Sequence, residues 1–131
     1  MISQRSEAHD YGRFMFDIQS EEIGNMLILH VTGDILLPVA ISFEEEINKQ
    51  VYAKKLPEVI IDLNQIGKMD NAALGILVTL STLYSTQGRR LFLFHPAKHI
   101  EALIKEIGIE KFFPIFENYE ELHNHRLSDS E

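Results

Sequence analysis

The sequence predicts a single α/β domain built on a mixed sheet of four or five strands. Apolar runs of strand length alternate with amphipathic stretches of helical period, a pattern typical of strand–helix–strand units and a largely parallel sheet. Before this alternation begins, two strand-like segments follow one another across a short turn, which predicts an antiparallel hairpin at the start of the fold. A length of 131 residues is enough for one ordinary hydrophobic core.

The first half of the domain is predicted to contain three strands and one helix. The hairpin strands are predicted at 14–18 and 26–31. Apolar residues then recur every four positions among charged and amide side chains, which predicts a helix at 39–53, with Pro38 suited to its first turn. The nearly continuous apolar run at 59–63 is typical of a strand covered on both faces.

The second half repeats the alternation. It is predicted to contain a helix at 71–87, a strand at 91–94, a helix at 97–107, a strand at 112–116 and a short C-terminal helix at 118–123. Gly108 suits the end of the third helix because glycine adopts the left-handed conformation of many helix C-termini. Pro114 lacks an N–H group, so the last strand is expected at a sheet edge.

Both ends are predicted to be flexible: an N-terminal arm at 1–12 and a tail at 124–131, with the domain at 13–123. The polar start of the chain has no apolar segment of the kind found in secretory signals. No apolar run approaches the ~20 residues that a membrane helix needs. We therefore expect a cytoplasmic protein without direct membrane insertion.

Composition removes several classes of function. Twenty acidic side chains against 12 basic ones give a formal net charge of −8, which argues against broad nucleic-acid binding and against docking on anionic membranes. The absence of cysteine excludes disulfides, thiol nucleophiles and cysteine zinc sites. His95 and His99 have no third ligand at a suitable spacing, and His30 lies within a strand, so we predict no metal, no cofactor and no catalytic residue.

Residues 71–88 contain no charged side chain. An amphipathic helix normally presents charged residues to solvent, so this helix is either covered by a partner or flanked by the other helices. Asp70 or Asn71 can accept hydrogen bonds from the free N–H groups of the first turn. Such a turn is either an ordinary cap or a small recognition site at the partially positive end of the helix.

Several segments of the chain together resemble the STAS domain, the family named for sulfate transporters and anti-sigma factor antagonists. Antagonists have a buried strand and a short loop before Asp-Ser-Ser/Thr-Gly-Leu-Gly, and this chain has 59–63 and then Asp70-Asn71-Ala72-Ala73-Leu74-Gly75. Thr32-Gly33-Asp34-Ile35 is similar to the family's Thr-Gly-Glu-Leu, and Ile107-Gly108-Ile109 to its late Ser-Gly-Leu. The resemblance covers about 14–123.

The resemblance implies a STAS-like fold and a non-enzymatic function. Such proteins bind an anti-sigma factor, a histidine-kinase-like ATPase, and thereby release a sigma factor to regulate transcription. Carried onto this chain, the partner-binding residues are expected to be Asp34, Leu36, Asp70, Asn71, Ala72, Ala73, Leu74 and Gly75.

Three departures from the family pattern bear on function. The family's serine or threonine acceptor of phosphate corresponds to Ala72, which has no hydroxyl. Ala73 replaces the next glycine, and Leu36 stands where the family often has aspartate. We therefore expect no phosphorylation at the usual site.

Two alternatives stay open. Asp62 ends a buried strand, where the acceptor aspartate of a phospho-receiver domain would lie. That interpretation predicts an all-parallel sheet and a helix directly after the first strand. The other alternative is a STAS subunit of a lipid or anion transport system.

Overall fold

A computed structural model describes residues 3–5, 9–11 and 14–129. Their strands are β1 (Ser3–Arg5), β2 (His9–Tyr11), β3 (Phe14–Ile23), β4 (Met26–Ile35), β5 (Glu58–Asp62), β6 (Ile66–Met69), β7 (Arg90–Phe94) and β8 (Ile115–Phe116). Their helices are α1 (Ala40–Lys54), α2 (Asn71–Thr86), α3 (Lys98–Ile107) and α4 (Tyr119–Asp129), with 3₁₀ turns at Leu37–Val39 and Glu110–Phe112.

All eight described strands belong to one mixed sheet. The main order is β1-β3-β4-β5-β7-β8, with β2 beside β3 and β6 beside β4. Strands β3 and β4 form the antiparallel hairpin, whereas β4, β5, β7 and β8 run parallel, with Leu29 opposite Ile61 and Ile61 opposite Leu93. The predicted α/β class and mixed sheet are confirmed.

The sheet is larger than predicted because three short strands were missed. In β6 only the first and last residues are buried, so its sequence carries no strand alternation; it is held by pairing with Gly33 and Ile35 of β4. Strands β1 and β2 are defined by antiparallel pairing with β3. Residues 3–5 and 9–11 of the predicted arm at 1–12 therefore lie in paired strands, its other residues lie outside the described ones, and the flexibility of the arm stays a prediction.

The helices follow the prediction except at the C-terminus. Helix α4 continues to Asp129 and so includes residues 124–129 of the predicted tail at 124–131. The remaining two residues lie outside the described ones, and the flexibility of the tail stays a prediction. Leu122 is buried against the sheet, and His125 Nε2 lies 2.8 Å from Glu58 Oε2 on β5. These contacts join residues far apart in sequence, so local pattern did not indicate them.

The predicted last strand at 112–116 is shorter than expected. A 3₁₀ turn occupies Glu110–Phe112, and only Ile115–Phe116 pair with β7. The predicted edge position is confirmed, since β8 ends the sheet order.

Two hydrophobic layers cover the sheet. Strand residues such as Leu29 and Ile61 pack with α1, α2 and α3 in the larger core cluster. On the opposite face α4 covers a smaller cluster of Met26, Ile28, Ile60, Phe92, Phe94 and Leu122. None of the described helices has the length and apolar character required to cross a membrane.

Helix α2 is central in the larger layer. It packs against α1 and β7, and the hydroxyl of its buried Tyr84 donates to Asn48 Oδ1 on α1 at 2.6 Å. Burial raises the pKa of that hydroxyl above its ordinary value, so it stays protonated as a donor. Packing therefore explains why the inner side of α2 is uncharged. It does not explain why the exposed residues of the helix, which include Gly75 and Thr79, are uncharged as well.

Replacing Leu122 by alanine tests the docking of α4. Leu122 is 5% exposed, so we expect Leu122→Ala to lower the free energy of unfolding by about 2–4 kcal/mol in urea denaturation, because a cavity forms against the sheet. Leu127 lies on the same helix but is 52% exposed, so Leu127→Ala should cost less than about 0.5 kcal/mol. Equal effects would show that α4 is not anchored through Leu122.

Candidate protein-interaction surface

Asp70 joins the start of α2 to the loop after β4. Its Oδ1 accepts the N–H of Ala73 at 3.1 Å, which caps the helix, and its Oδ2 accepts the N–H of Leu37 at 2.8 Å. The predicted choice between Asp70 and Asn71 as the cap is thereby settled in favour of Asp70. One carboxylate thus fixes the helix start against a second segment of chain.

Asp34 makes the reciprocal connection. Its Oδ1 accepts the N–H of Lys68 on β6 at 2.8 Å. A Cβ atom added at Gly67 would lie 2.2 Å from that oxygen, so only glycine allows this close approach. The carbonyl of Gly67 accepts a hydrogen bond from His99 Nε2, which links β6 to α3 as well.

These bonds bring the two groups of predicted partner-binding residues together. Asn71 and Gly75 are exposed, and Asp34, Leu36, Asp70 and Ala72 are half-buried. Ala73 and Leu74 are fully buried in the core, so the prediction that they contact a partner needs correction: their side chains support the turn from behind.

Two apolar residues beside this turn were missed by the sequence prediction. Leu37 is 69% exposed and Ile41 is 63% exposed. Ile41 lies outside the stripe of apolar residues that recur every four positions and face the core. An apolar residue outside that stripe was the sequence signal that could have indicated an exposed apolar surface. We call the accessible residues of the two segments the docking turn; they are Leu36, Leu37, Ile41, Asn71, Ala72 and Gly75.

A separate polar cluster lies on the face of the sheet that α4 partly covers. His30 Nδ1 is 2.6 Å from Asp62 Oδ2, and His30 Nε2 is 2.8 Å from Glu21 Oε1. The hydrogen bond to Asp62, supported by the one to Glu21 and opposed by desolvation, raises the pKa of His30 from 6.5 to about 9. His30 is therefore a cation held between two carboxylates at neutral pH.

The phospho-receiver alternative is not supported by this arrangement. That alternative predicts an all-parallel sheet, but among the described residues the first long strand, β3, runs antiparallel to β4. It also predicts a helix directly after the first strand, whereas β3 is followed by β4. Asp62 is 8% exposed, pairs with His30 and accepts the N–H of Asn64 at 3.0 Å. Within the described part of the chain, no three histidine or acidic side chains are grouped to hold a metal.

Removing the Asp70 carboxylate should loosen the docking turn. We expect Asp70→Ala to lower the free energy of unfolding by about 1–2 kcal/mol, because a helix cap and a loop contact are lost together. Asn71→Ala, at the exposed neighbouring position, should change it by less than about 0.5 kcal/mol. Urea denaturation of both variants checks this, and equal losses would contradict the bridging role of Asp70.

The His30 cluster should make stability depend on pH. Because the folded-state pKa is raised above 6.5, the stabilisation by charged His30 is fully present below that pH and is lost as pH rises through about 9. The difference in unfolding free energy between parent and His30→Gln should be about 1–2 kcal/mol near pH 6 and approach zero by about pH 10. A pH-independent difference for His30→Gln would contradict the assignment of His30 as a cation between two carboxylates.

Comparison with known proteins places this architecture in a family. A model of the STAS domain matches residues 17–122. An anti-sigma factor antagonist from Mycobacterium paratuberculosis superposes with a TM-score of 0.69 at 20% identity, covering 85% of this chain and 94% of its own. A candidate anti-sigma factor antagonist from Thermotoga maritima gives 0.70 at 16% identity, covering 81% of this chain and 91% of its own.

The same fold also forms part of a much longer protein. The murine anion transporter Slc26a9 superposes with a TM-score of 0.65 at 18% identity over 82% of this chain, but only 18% of the transporter chain is covered. Identities this low show a shared fold alone, whereas the domain match spans most of the sequence. The chain belongs to the STAS domain family.

Proposed function

We propose that this protein is a non-enzymatic interaction module that binds a histidine-kinase-like anti-sigma factor in the cytoplasm and so regulates transcription. The observation that carries the proposal is the docking turn, an uncharged exposed surface that Asp34 and Asp70 hold in place. STAS family membership and the structural similarity to anti-sigma factor antagonists support it.

The composition of the docking turn suits a protein partner. Leu37 and Ile41 expose apolar side chains, which become more stable when a partner removes them from water. Gly75 and Ala72 are small, so the backbone of the first two turns of α2 can be approached closely. With no charged side chain between 71 and 88, a partner has no charge to desolvate on α2.

Phosphorylation at the family's usual position is not part of the proposal. On the family resemblance, Ala72 occupies the acceptor position, and a methyl side chain offers no oxygen to phosphorylate.

Affinity purification from the protein's own cells tests the proposed partner class. Recovery of a histidine-kinase-like ATPase that binds the purified protein directly supports the proposal. Recovery of a transporter component instead would contradict it and favour a STAS subunit of a transport system, the setting in which this fold occurs in Slc26a9.

Ala72→Asp tests the surface itself. Ala72 lies in the first turn of α2, where a negative side chain is favoured by the helix dipole by about 0.3–1 kcal/mol, so the melting temperature should hardly change. A partner packed on the turn must then desolvate a charge, and we expect at least about tenfold weaker binding, or ~1.4 kcal/mol, in calorimetric titration with the recovered partner.

Asn118→Asp is the matched control. Asn118 accepts the N–H of Glu121 at the start of α4, so this variant adds the same charge at a helix N-terminus on the opposite face of the sheet. It should leave partner binding unchanged. If Ala72→Asp binds as tightly as the parent, the docking turn is not the interface.

A further inference from the structure

Helices α1 and α2 lie side by side and run in the same direction. Hydrogen bonds join the two segments between residues that are 33, 36 and 35 positions apart, and this nearly constant separation shows that the helices are parallel. Two parallel helices in contact leave a groove between them on the side that faces solvent. The bonded pairs are Leu37 with Asp70, Asn48 with Tyr84, and Tyr52 with Gln87.

One stripe of side chains from each helix borders this groove. Both stripes have the spacing i, i+4, i+7 and i+11, so the four side chains of each lie on one face of their helix. The contacts of Asn48 and Tyr52 with α2 place the first stripe beside α2. We call the two stripes the α1–α2 groove; they consist of Ile41, Glu45, Asn48 and Tyr52 on α1, and Ala72, Ile76, Thr79 and Leu83 on α2.

The groove exposes apolar side chains at both of its ends. Ile41 is 63% exposed at one end, and at the other end Tyr52 is 40% and Leu83 is 39% exposed. At a rise of roughly 1.5 Å per residue, Ile41 and Tyr52 are about 16 Å apart along α1. The groove shares Ile41 and Ala72 with the docking turn, so the apolar surface continues well beyond the first turn of α2.

The charge beside the middle of the groove is acidic. Glu45 is exposed within the α1 stripe and Glu44 is its half-buried neighbour. Among the described residues neither carboxylate has an ion-pair partner, although Lys49 follows Glu45 by one turn. Helix α2 contributes no charge, and the Arg89 guanidinium lies at the far end, 5.3 Å from the centroid of the Tyr52 ring. A partner that covers the middle of the groove therefore binds best when it offers a cation there.

A second copy of the chain is a poor occupant of this groove. Two-fold pairing brings the same surface of each copy together, so the middles of two grooves would meet. Glu44 and Glu45 of both copies would then lie close together, and like charges across an interface repel. A helix of about 15 residues, by contrast, spans the groove and presents apolar side chains with the same repeat.

We propose that the α1–α2 groove binds an amphipathic helix that carries a basic flank. This assignment rests on the proposed function, and the helix then belongs to the anti-sigma factor. Its apolar side chains contact Ile41 at one end of the groove and Leu83 and Tyr52 at the other. A lysine or arginine on its flank lies beside Glu44 and Glu45. The docking turn and the groove are thus two parts of one continuous protein-binding surface.

An amide NMR titration with designed peptides tests the proposal. The probe is a stapled helix of about 15 residues with leucines at i, i+4, i+7 and i+11 and lysines on one flank. The matched probe has glutamates in place of the lysines. We expect saturable shifts of the Ile76, Thr79 and Leu83 amides. The lysine peptide should bind at least about fivefold more tightly, and added salt should reduce that advantage.

Two matched pairs of variants locate the binding site of the peptide. Glu45→Lys should abolish or reverse the preference for the lysine peptide, whereas Glu106→Lys, the same change at an exposed position of α3, should keep it. Leu83→Gln should weaken binding at least about fivefold, because an apolar contact is lost. Leu127→Gln, at a position of α4 that is 52% exposed, should leave binding unchanged.

The proposal is wrong if neither peptide gives saturable shifts or if Glu45→Lys and Glu106→Lys behave alike. It is also wrong if the groove amides shift with protein concentration alone, a result that would indicate a second copy as the occupant. The probe is a designed peptide, so this test does not depend on which protein is recovered from cells. Recovery of an ATPase that binds through the docking turn, without binding of the peptide, would support the proposed function and reject the groove.

Discussion

Two aspartates hold the ends of the central strands in register with α2. Asp34, near the end of β4, accepts a backbone N–H from β6, and Asp70, directly after β6, accepts one from the segment that follows β4. Each segment thus supplies a carboxylate to the backbone of the other. Backbone donors at the end of a strand and the start of a helix would otherwise depend on water. The position of the first turn of α2 relative to the sheet follows from this exchange.

The core beneath that turn explains why it can remain small and uncharged. Ala73 and Leu74 are fully buried, so the turn is anchored from inside and needs no large side chain outside. The fold leaves Leu37 and Ile41 largely exposed, although burying them would stabilise the protein. Apolar side chains held at the surface beside a rigid, uncharged helix are typical of an interface rather than of a solvated face.

Sequence pattern predicted those features whose causes are local. The continuous apolar runs at 59–63 and 91–94 and the four-residue period in α1 follow from burial on one or two faces. The short strand β6 could not be predicted, because it exists only through pairing with β4. The extension of α4 depends on a contact between His125 and Glu58, 67 positions apart. At the site, Asp70 was predicted as a possible cap from its place before an uncharged helix, whereas its bond to Leu37 required the fold.

The two ends of α2 carry opposite partial charges, and different groups of the chain offset them. At the first turn, both carboxylate oxygens of Asp70 accept N–H groups, so the positive end of the helix is already balanced by the protein itself. With Leu37 and Ile41 exposed beside it, this end suits a neutral, apolar partner surface. At the far end, the backbone N–H groups of Gln87 and Arg89 donate to the carbonyl of Tyr84, and that of Gly88 donates to the carbonyl of Ser85. Groups of the same chain thus close both ends of α2, and the exposed apolar side chains beside its first turn, rather than a free helix charge, are what a partner can recognise.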